Sequence, residues 1–126
     1  MSQVADRNQI VQIIKEAEKL IDFIQDQYIL NFVDFFVHEK YIFLVTEMMD
    51  MDLCSFMNKF YDKLSEDKIK RIFFLCARSV QHCHIKKLIH CDIKPENILV
   101  NVDECGNIKD FRLADLGNSF KTTKGK

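Results

Sequence analysis

The sequence predicts an α+β fold in one domain or part of one. Three observations lead to this prediction: apolar residues recur at helical spacing near the start, aromatic and β-branched residues cluster in two neighbouring runs, and a second helical pattern precedes two short β-type runs. Helix, hairpin, helix and paired short strands in this order are typical of an α+β arrangement. With 126 residues, of which 48% are apolar, the chain can bury a core.

The first half of the chain contains one predicted helix and one predicted hairpin. The helix spans Val4–Ile24, where apolar residues repeat at intervals of three and four. Two runs rich in aromatic and β-branched residues follow, Tyr28–Val37 and Tyr41–Thr46. A three-residue spacer separates them, so we expect an antiparallel hairpin. A short acidic, Met-rich stretch comes next.

The second half begins with a longer predicted helix. Ser65 followed by two acidic residues is typical of an N-cap, and an apolar pattern continues from Ile69 to Cys83. Two short strands, Ile98–Val100 and Phe111–Ala114, are predicted after it. The Asp-Glu-Cys-Gly-Asn sequence between them indicates an exposed turn.

The charge of the chain gives no sign of a nucleic-acid or membrane partner. The formal net charge is -1 and the isoelectric point is near 6.4, so no positive field attracts phosphate backbones or anionic lipid. No apolar stretch approaches the roughly 18 residues that cross a bilayer, and the first residues do not resemble a signal peptide. We therefore expect an intracellular protein, cytoplasmic or nuclear.

The cysteines favour reduced thiols over a disulfide framework. Their number is odd and no C-x-x-C pair occurs among them: Cys54, Cys76, Cys83, Cys91 and Cys105. The histidines and cysteines between positions 82 and 91 lack the paired ligand spacing of structural zinc sites. We expect no zinc site there.

The segment from His90 to Val100, His-Cys-Asp-Ile-Lys-Pro-Glu-Asn-Ile-Leu-Val, carries the strongest chemical signal. Asp92, Lys94 and Asn97 lie close together in it, and Asp115-Leu116-Gly117 adds a further carboxylate downstream. Taken singly, each residue would suit an ordinary turn or cap. In this order they resemble the catalytic loop and the D-F-G turn of eukaryotic-type protein kinases.

The resemblance implies ATP and Mg²⁺ as cofactors and gives four residues a role in phosphoryl transfer. Asp92 would be the catalytic base, and Lys94 would neutralise charge developing on the γ-phosphate. Asn97 and Asp115 would hold Mg²⁺. The Lys-Pro-Glu-Asn run favours the serine/threonine kinases within the family.

The resemblance also implies a nucleotide site upstream. Thr46 would be the gatekeeper, and backbone groups of Glu47 and Met49 would face the adenine. Asp52 would lie near the ribose, and Leu99 would cover the other face of the base. The methionines in this stretch would equally suit the edge of an apolar core.

The first helix would supply the glutamate that pairs with the ATP-orienting lysine. Glu16 is the candidate, Glu18 is an alternative, and a solvated carboxylate on a helix face would explain either residue equally well. Choosing Glu16 places four residues where the family stacks its regulatory spine: Leu20, Phe32, His90 and Leu116.

The chain departs from the family pattern in three ways. No glycine-rich loop or V-A-I-K lysine precedes the first helix, no activation segment or A-P-E follows Phe120, and Cys91 replaces the arginine of H-R-D. We therefore expect a partial kinase domain: an N-lobe remnant (1–46), the hinge (47–53) and a C-lobe remnant (54–126). The His-Cys-Asp and Asp-Leu-Gly motifs are most similar to the group containing the cyclin-dependent, SR-protein and dual-specificity tyrosine-regulated kinases.

Three functions follow from this interpretation, and whether the chain is an active enzyme stays open. The first is a protein serine/threonine kinase catalytic-core fragment that acts on a protein substrate. The second is a non-catalytic interaction module that binds another kinase or kinase segment through apolar surfaces. The third is a truncated gene product whose core lacks partners on both sides.

Overall fold

The computed structural model describes residues 7–122 and has mixed helix and sheet content, as predicted. In chain order the elements are α1 (Arg7–Ile21), β1 (Phe32–His38), β2 (Tyr41–Thr46), β3 (Met51–Asp52), α2 (Leu53–Lys59), α3 (Glu66–Ile85), β4 (Leu88–Ile89), β5 (Ile98–Val102), β6 (Ile108–Leu113) and β7 (Phe120–Lys121). Two 3₁₀ turns, Tyr61–Lys63 and Pro95–Asn97, complete the described elements. The strands form three small sheets with the orders β1-β2, β3-β5-β6 and β4-β7.

Helix α1 is shorter than the apolar pattern predicted. Positions 4–6 of the prediction lie outside the described residues, and the helix ends at Ile21 rather than Ile24. Its end tightens into a turn, in which the N–H of Phe23 donates to the carbonyl of Leu20 at 3.0 Å. Phe23 nevertheless packs into the core together with Leu20. Apolar residues at helical spacing therefore continue beyond the last residue of the helix.

Strands β1 and β2 pair antiparallel, which confirms the predicted hairpin. Strand β2 has the predicted bounds, whereas β1 spans Phe32–His38 instead of Tyr28–Val37. The first four residues of that prediction are therefore wrong.

The misplaced segment makes different contacts. The carboxylate of Asp26 accepts the N–H groups of Tyr28 at 2.7 Å and Ile29 at 3.2 Å, which forms a turn. The N–H of Leu113 then donates to the carbonyl of Tyr28 at 2.7 Å, so this segment pairs with β6 instead of β2. The second carboxylate oxygen of Asp26 lies 2.8 Å from Nδ1 of His82 and links the segment to α3.

Two elements of the acidic, Met-rich stretch were not predicted. Strand β3 pairs with β5, and helix α2 follows it directly. The carboxylate of Asp52 caps α2 by accepting the N–H of Ser55 at 2.7 Å. Helix α3 begins as predicted, because the hydroxyl of Ser65 accepts the N–H of Lys68 at 3.2 Å.

The two predicted short strands pair as expected and are longer than expected. Strands β5 and β6 align Ile98 with Leu113 and Val100 with Phe111. Ala114, predicted as a strand residue, lies just beyond β6. In the connecting turn, hydrogen bonds from Asn107 lower the pKa of Asp103.

One apolar core joins α1, α2, α3, β5 and β6. Its members are Leu20, Phe23, Ile29, Leu53, Phe56, Phe60, Ile72, Leu75, Cys83, Leu88, Ile98, Val100, Phe111, Leu113 and Leu116. All five cysteines are free thiols. Within residues 7–122, no helix combines the length and apolar character needed to cross a bilayer.

The glycine of the β5–β6 turn generates a stability prediction. Gly106 has a φ of +80°, and a Cβ there would lie 2.8 Å from Cδ1 of Phe60. We expect Gly106→Ala to lower the free energy of unfolding by about 1 to 3 kcal/mol, because it adds left-handed strain and a clash with a core ring. Urea unfolding measures the change.

The control is Glu104→Ala, which alters an exposed side chain of the same turn. It should leave the urea midpoint nearly unchanged. Equal midpoints for the Gly106 and Glu104 variants would contradict the prediction.

Candidate functional site

The predicted catalytic loop, His90–Asn97, joins β4 to β5 and is anchored by a buried histidine. Nε2 of His90 lies 2.8 Å from the carbonyl oxygen of Ala114, and Nδ1 accepts the N–H of Asp92 at 3.1 Å. These partners assign a neutral imidazole with its proton on Nε2. His90 therefore fixes the loop against the residue that precedes Asp115.

The predicted base lies in a polar network. Nδ2 of Asn97 donates to the carbonyl of Asp92 at 2.9 Å and to its Oδ2 at 3.1 Å. Nδ2 of Asn118 lies 3.5 Å from the same oxygen, and Nζ of Lys94 lies 3.7 Å from Oδ1. Both carboxylate oxygens have partners, so the carboxylate of Asp92 is held in one orientation.

The D-L-G turn, Asp115–Ser119, places its carboxylate at the surface. Asp115 is exposed and has a φ of +59°. Its Oδ1 accepts the N–H of Gly117 at 3.2 Å. The side chain of the next residue, Leu116, is fully buried in the core and anchors the turn there. This turn lies beside the catalytic loop, because the N–H of Ala114 donates to the carbonyl of Asn97 at 2.8 Å.

Of the two glutamates considered on α1, Glu16 is the one that faces the D-L-G turn. Glu16 is half-buried, while Glu18 is exposed. Burial raises the pKa of Glu16, the carboxylate of Asp115 raises it further, and Lys19 lowers it. Among the expected spine residues, Leu20 and Leu116 belong to the core, Phe32 packs against it, and His90 is buried.

Two backbone hydrogen bonds hold the predicted hinge, one at Glu47 and one at Asp50. The N–H of Glu47 donates to the carbonyl of Asn31 at 3.0 Å, and the N–H of Asp50 donates to the carbonyl of Val100 at 3.1 Å. Thr46 ends β2, and its hydroxyl lies 3.4 Å from the carbonyl of Glu47. The N–H of Glu47 is thus already used, which leaves the carbonyl of Glu47 and the backbone of Met49 as the candidates for adenine.

The side chain of Glu47 forms an ion pair that the sequence did not suggest. Its Oε1 accepts a hydrogen bond from Nε of Arg112 at 2.8 Å. The same oxygen accepts bonds from the backbone N–H of Asn31 at 3.0 Å and from Nδ2 of Asn31 at 3.2 Å. Arg112 also donates to the carbonyl of Gln27. These bonds tie the hinge to β6 and to the chain that enters β1. No local pattern could have revealed a pair separated by 65 residues.

The two remaining residues that are predicted to contact the nucleotide lie side by side. Asp52 on β3, within the predicted hinge, and Leu99 on β5 are cross-strand partners. Asp52 also caps α2, so its carboxylate has a structural contact in addition to its predicted place near the ribose. Leu99 is partly exposed and can contact a flat ligand.

The donor set fits Mg²⁺. The amide nitrogen of Asn97 faces Asp92, so the amide oxygen points away from it. Amide and carboxylate oxygens are ligands that Mg²⁺ accepts, and this ion often uses one or two carboxylates together with phosphates and water. Within the described part of the chain, no three His, Cys, Asp or Glu side chains form a complete metal cage. Asn97 and Asp115 therefore suit an ion that also binds phosphate.

Sequence comparisons match the chain to a known protein family. The family model described as "Protein kinase domain" matches residues 1–126. The chain is similar to the protein kinase domain-containing protein ppk9 of Schizosaccharomyces pombe, at 37% identity over 86 residues, 67% of this chain and 16% of that protein. It is also similar to cyclin-dependent kinase 20 of Danio rerio, at 30% identity over 105 residues, 83% of this chain and 30% of that protein. The chain thus spans less than a third of either relative.

The structural comparison confirms the predicted kinase-like fold. The crystal structure of the yeast RNA Pol II CTD kinase CTDK-1 complex matches with a TM-score of 0.81 at 18% identity. The match covers 98% of this chain and 39% of that one. At this identity the similarity concerns the fold alone.

Glu16 generates a pH prediction. A carboxyl group with a higher pKa in the folded state binds more protons when folded, so stability falls as pH rises above 4.5, the ordinary value, through the raised pKa. Glu16→Gln removes this loss. We expect the variant to gain stability relative to the wild type as pH rises through that window, measured by urea unfolding at a series of pH values.

Glu18→Gln is the matched control, since it changes an exposed glutamate on the same helix. Because the predicted gain comes mainly from the burial of Glu16, it should be larger in Glu16→Gln than in Glu18→Gln. The same pH dependence in both variants would contradict the burial of Glu16 against the D-L-G turn.

Proposed function

The chain belongs to the protein kinase family, and on that premise we propose that it is the catalytic core of a protein serine/threonine kinase. It would transfer the γ-phosphate of ATP to hydroxyl groups of a protein substrate. The observation that carries this proposal is that the predicted base and the predicted metal ligands lie in adjoining segments. The side chain of Asn97 donates to Asp92, and the backbone carbonyl of Asn97 accepts the N–H of Ala114, the residue that precedes Asp115. The division into N-lobe (1–46), hinge (47–53) and C-lobe (54–126) belongs to the same proposal.

In the proposed mechanism the catalytic loop orients the substrate hydroxyl. Asp92 accepts its proton, because Asn97 and Asn118 hold the carboxylate in place and leave it partly exposed. Lys94, 3.7 Å from Asp92, is close enough to stabilise negative charge on the transferred group. Bound ATP would supply the phosphoryl group, and Mg²⁺ would neutralise its charge. Asn97 and Asp115 would be the residues that hold the metal.

In the proposed nucleotide site the adenine lies along the hinge. The carbonyl of Glu47 and the backbone of Met49 would bind the base, behind Thr46. Leu99 would cover one face of the base and Asp52 would lie near the ribose, which is supported by their adjacent positions on β5 and β3.

The partners and location follow from the same proposal. A kinase of this kind needs ATP and a protein substrate, and we propose that it works in the cytoplasm or nucleus. The net charge of -1 supports neither a nucleic acid nor a membrane as partner.

A second candidate function is the interaction module that binds another kinase or kinase segment. It is favoured by an apolar groove along α3, whose lining includes Phe73, Val80 and Ile85; Phe73 is 71% exposed and Ile85 67%. Neighbouring apolar side chains of this size commonly mark a surface that another protein covers. A truncated product without a stable fold is the third candidate, and a cooperative thermal transition would exclude it.

Nucleotide binding separates the first two candidates. We expect the wild-type protein to bind ATP more tightly with Mg²⁺ than without it, and Asp115→Ala to remove that difference, because a carboxylate ligand is lost. Isothermal titration calorimetry measures both affinities. Asp62→Ala, at an exposed position of a 3₁₀ turn, should behave as the wild type. A folded protein that binds no ATP would favour the interaction module.

The base assignment predicts a loss of activity. We expect Asp92→Asn to lower phosphate transfer to a degenerate serine/threonine peptide library by roughly 10²- to 10⁴-fold, the usual contribution of a general base. The fold should persist, because an asparagine oxygen can still accept the bonds from Asn97 and Asn118. Transfer at the wild-type rate would refute the assignment of Asp92.

A further inference from the structure

One face of α1 lies along the D-L-G turn. Gln12, Glu16 and Lys19 are spaced by four and three residues and therefore share a helix face, which spans about 10 Å. Nε2 of Gln12 donates to the carbonyl of Gly117 at 3.0 Å. Nζ of Lys19 donates to the carbonyls of Leu116 at 3.3 Å and Ser119 at 2.7 Å. Two side chains of a helix that is far away in sequence thus bind three carbonyl oxygens of one turn.

The turn needs external support, because its own geometry is strained. Asp115 adopts a φ of +59°, a left-handed conformation that costs free energy for a residue other than glycine. Within the turn, the carbonyl of Leu116 accepts both the N–H of Ser119 at 3.1 Å and its hydroxyl at 2.6 Å. The N–H of Gly117 binds the Asp115 carboxylate itself. These short-range bonds do not fix the position of the turn relative to α1.

A lysine suits this position better than a neutral side chain. The carbonyls of Leu116 and Ser119 present partial negative charge to the half-buried Nζ of Lys19, and hydrogen bonds from a charged donor are stronger than neutral ones. The same cation offsets part of the repulsion between the carboxylates of Glu16 and Asp115.

We propose that Lys19, assisted by Gln12, is a positioning residue that holds the D-L-G turn so that Asp115 stays beside the catalytic loop. Lys19 acts through the turn and does not touch the nucleotide. The effect on the turn stands independently of the proposed function, whereas its consequence for Mg²⁺ rests on that function.

Hydrogen–deuterium exchange in the full chain tests the effect on the turn. The amides of Gly117 and Ser119 are hydrogen-bonded inside the turn and report on its opening. Lys19→Met keeps the apolar stem and removes the cation. We expect these amides to exchange roughly tenfold faster, the size of a lost hydrogen bond to a charged group.

The controls distinguish positioning from general destabilisation. Lys15→Met, at an exposed lysine of the same helix, should exchange as the wild type. Lys19→Arg should restore slow exchange, because it returns a cationic donor. Gln12→Met, at an exposed position, should give a smaller increase confined to the turn. Unchanged exchange of Gly117 and Ser119 in Lys19→Met would overturn the proposal.

Calorimetry in parallel tests the consequence for the metal. In Lys19→Met we expect ATP affinity with Mg²⁺ to weaken roughly tenfold, while affinity without Mg²⁺ stays unchanged, because only the carboxylate of Asp115 is displaced. If the wild type binds no ATP, the proposed function fails and the exchange result still decides the role of Lys19. Faster exchange in Lys19→Met with wild-type Mg²⁺-dependent affinity would overturn the link between the turn and the metal.

Discussion

The arrangement of the candidate site depends on two hydrogen bonds made by the backbone of Ala114. Its N–H donates to the carbonyl of Asn97, and its carbonyl oxygen binds Nε2 of His90, each at 2.8 Å. The first residue lies at the end of the catalytic loop and the second at its beginning. A single alanine therefore joins the whole loop to the strand that leads into Asp115. Because both bonds are buried or partly buried, breaking either one would leave a polar group without water to replace its partner.

This junction has both apolar and polar support. Leu116 and Leu113 flank the short segment around Ala114, and both belong to the core shared by α1, α3 and β5. Polar side chains of α1 also bind the carbonyls of the turn. The ion pair between Arg112 and Glu47 connects the same strand to the hinge. Strand β6 is thus the element through which hinge, loop and turn are held relative to one another.

Local signals accounted for much of the fold. Ser65 capped α3 as expected, β2 had the expected bounds, and β5 paired with β6. The failures also have local causes. Helix α2 could have been found from Asp52 as an N-cap before Leu53, Phe56 and Phe60 at helical spacing. The strand predicted from Tyr28 failed because Asp26 forms a turn that directs this segment to β6.

The resemblance to a kinase motif named the candidate residues but not the contacts that position them. Asp92, Asn97 and Asp115 lie within short stretches whose spacing carries information. Gln12 and Lys19 contact the D-L-G turn across about a hundred residues of chain, and such contacts exist only once the core has brought α1 beneath Leu116. Periodicity predicts which face of a helix is apolar and does not predict which carbonyl a polar side chain on that helix will reach.

The contacts of Glu47 and Asp50 should restrict which residues can occupy some positions of the predicted hinge more than others during evolution. Asp50 binds β5 through its N–H and also through its carboxylate, which accepts the N–H of Val102 at 3.0 Å, while Glu47 binds through both backbone and side chain. Met48 lies between them with 94% of its surface in solvent. Its side chain supports neither anchor, so we expect residue types at position 48 to vary more freely than those at 47 and 50. Variation along this stretch would then reflect how the segment is attached to β5 and β6.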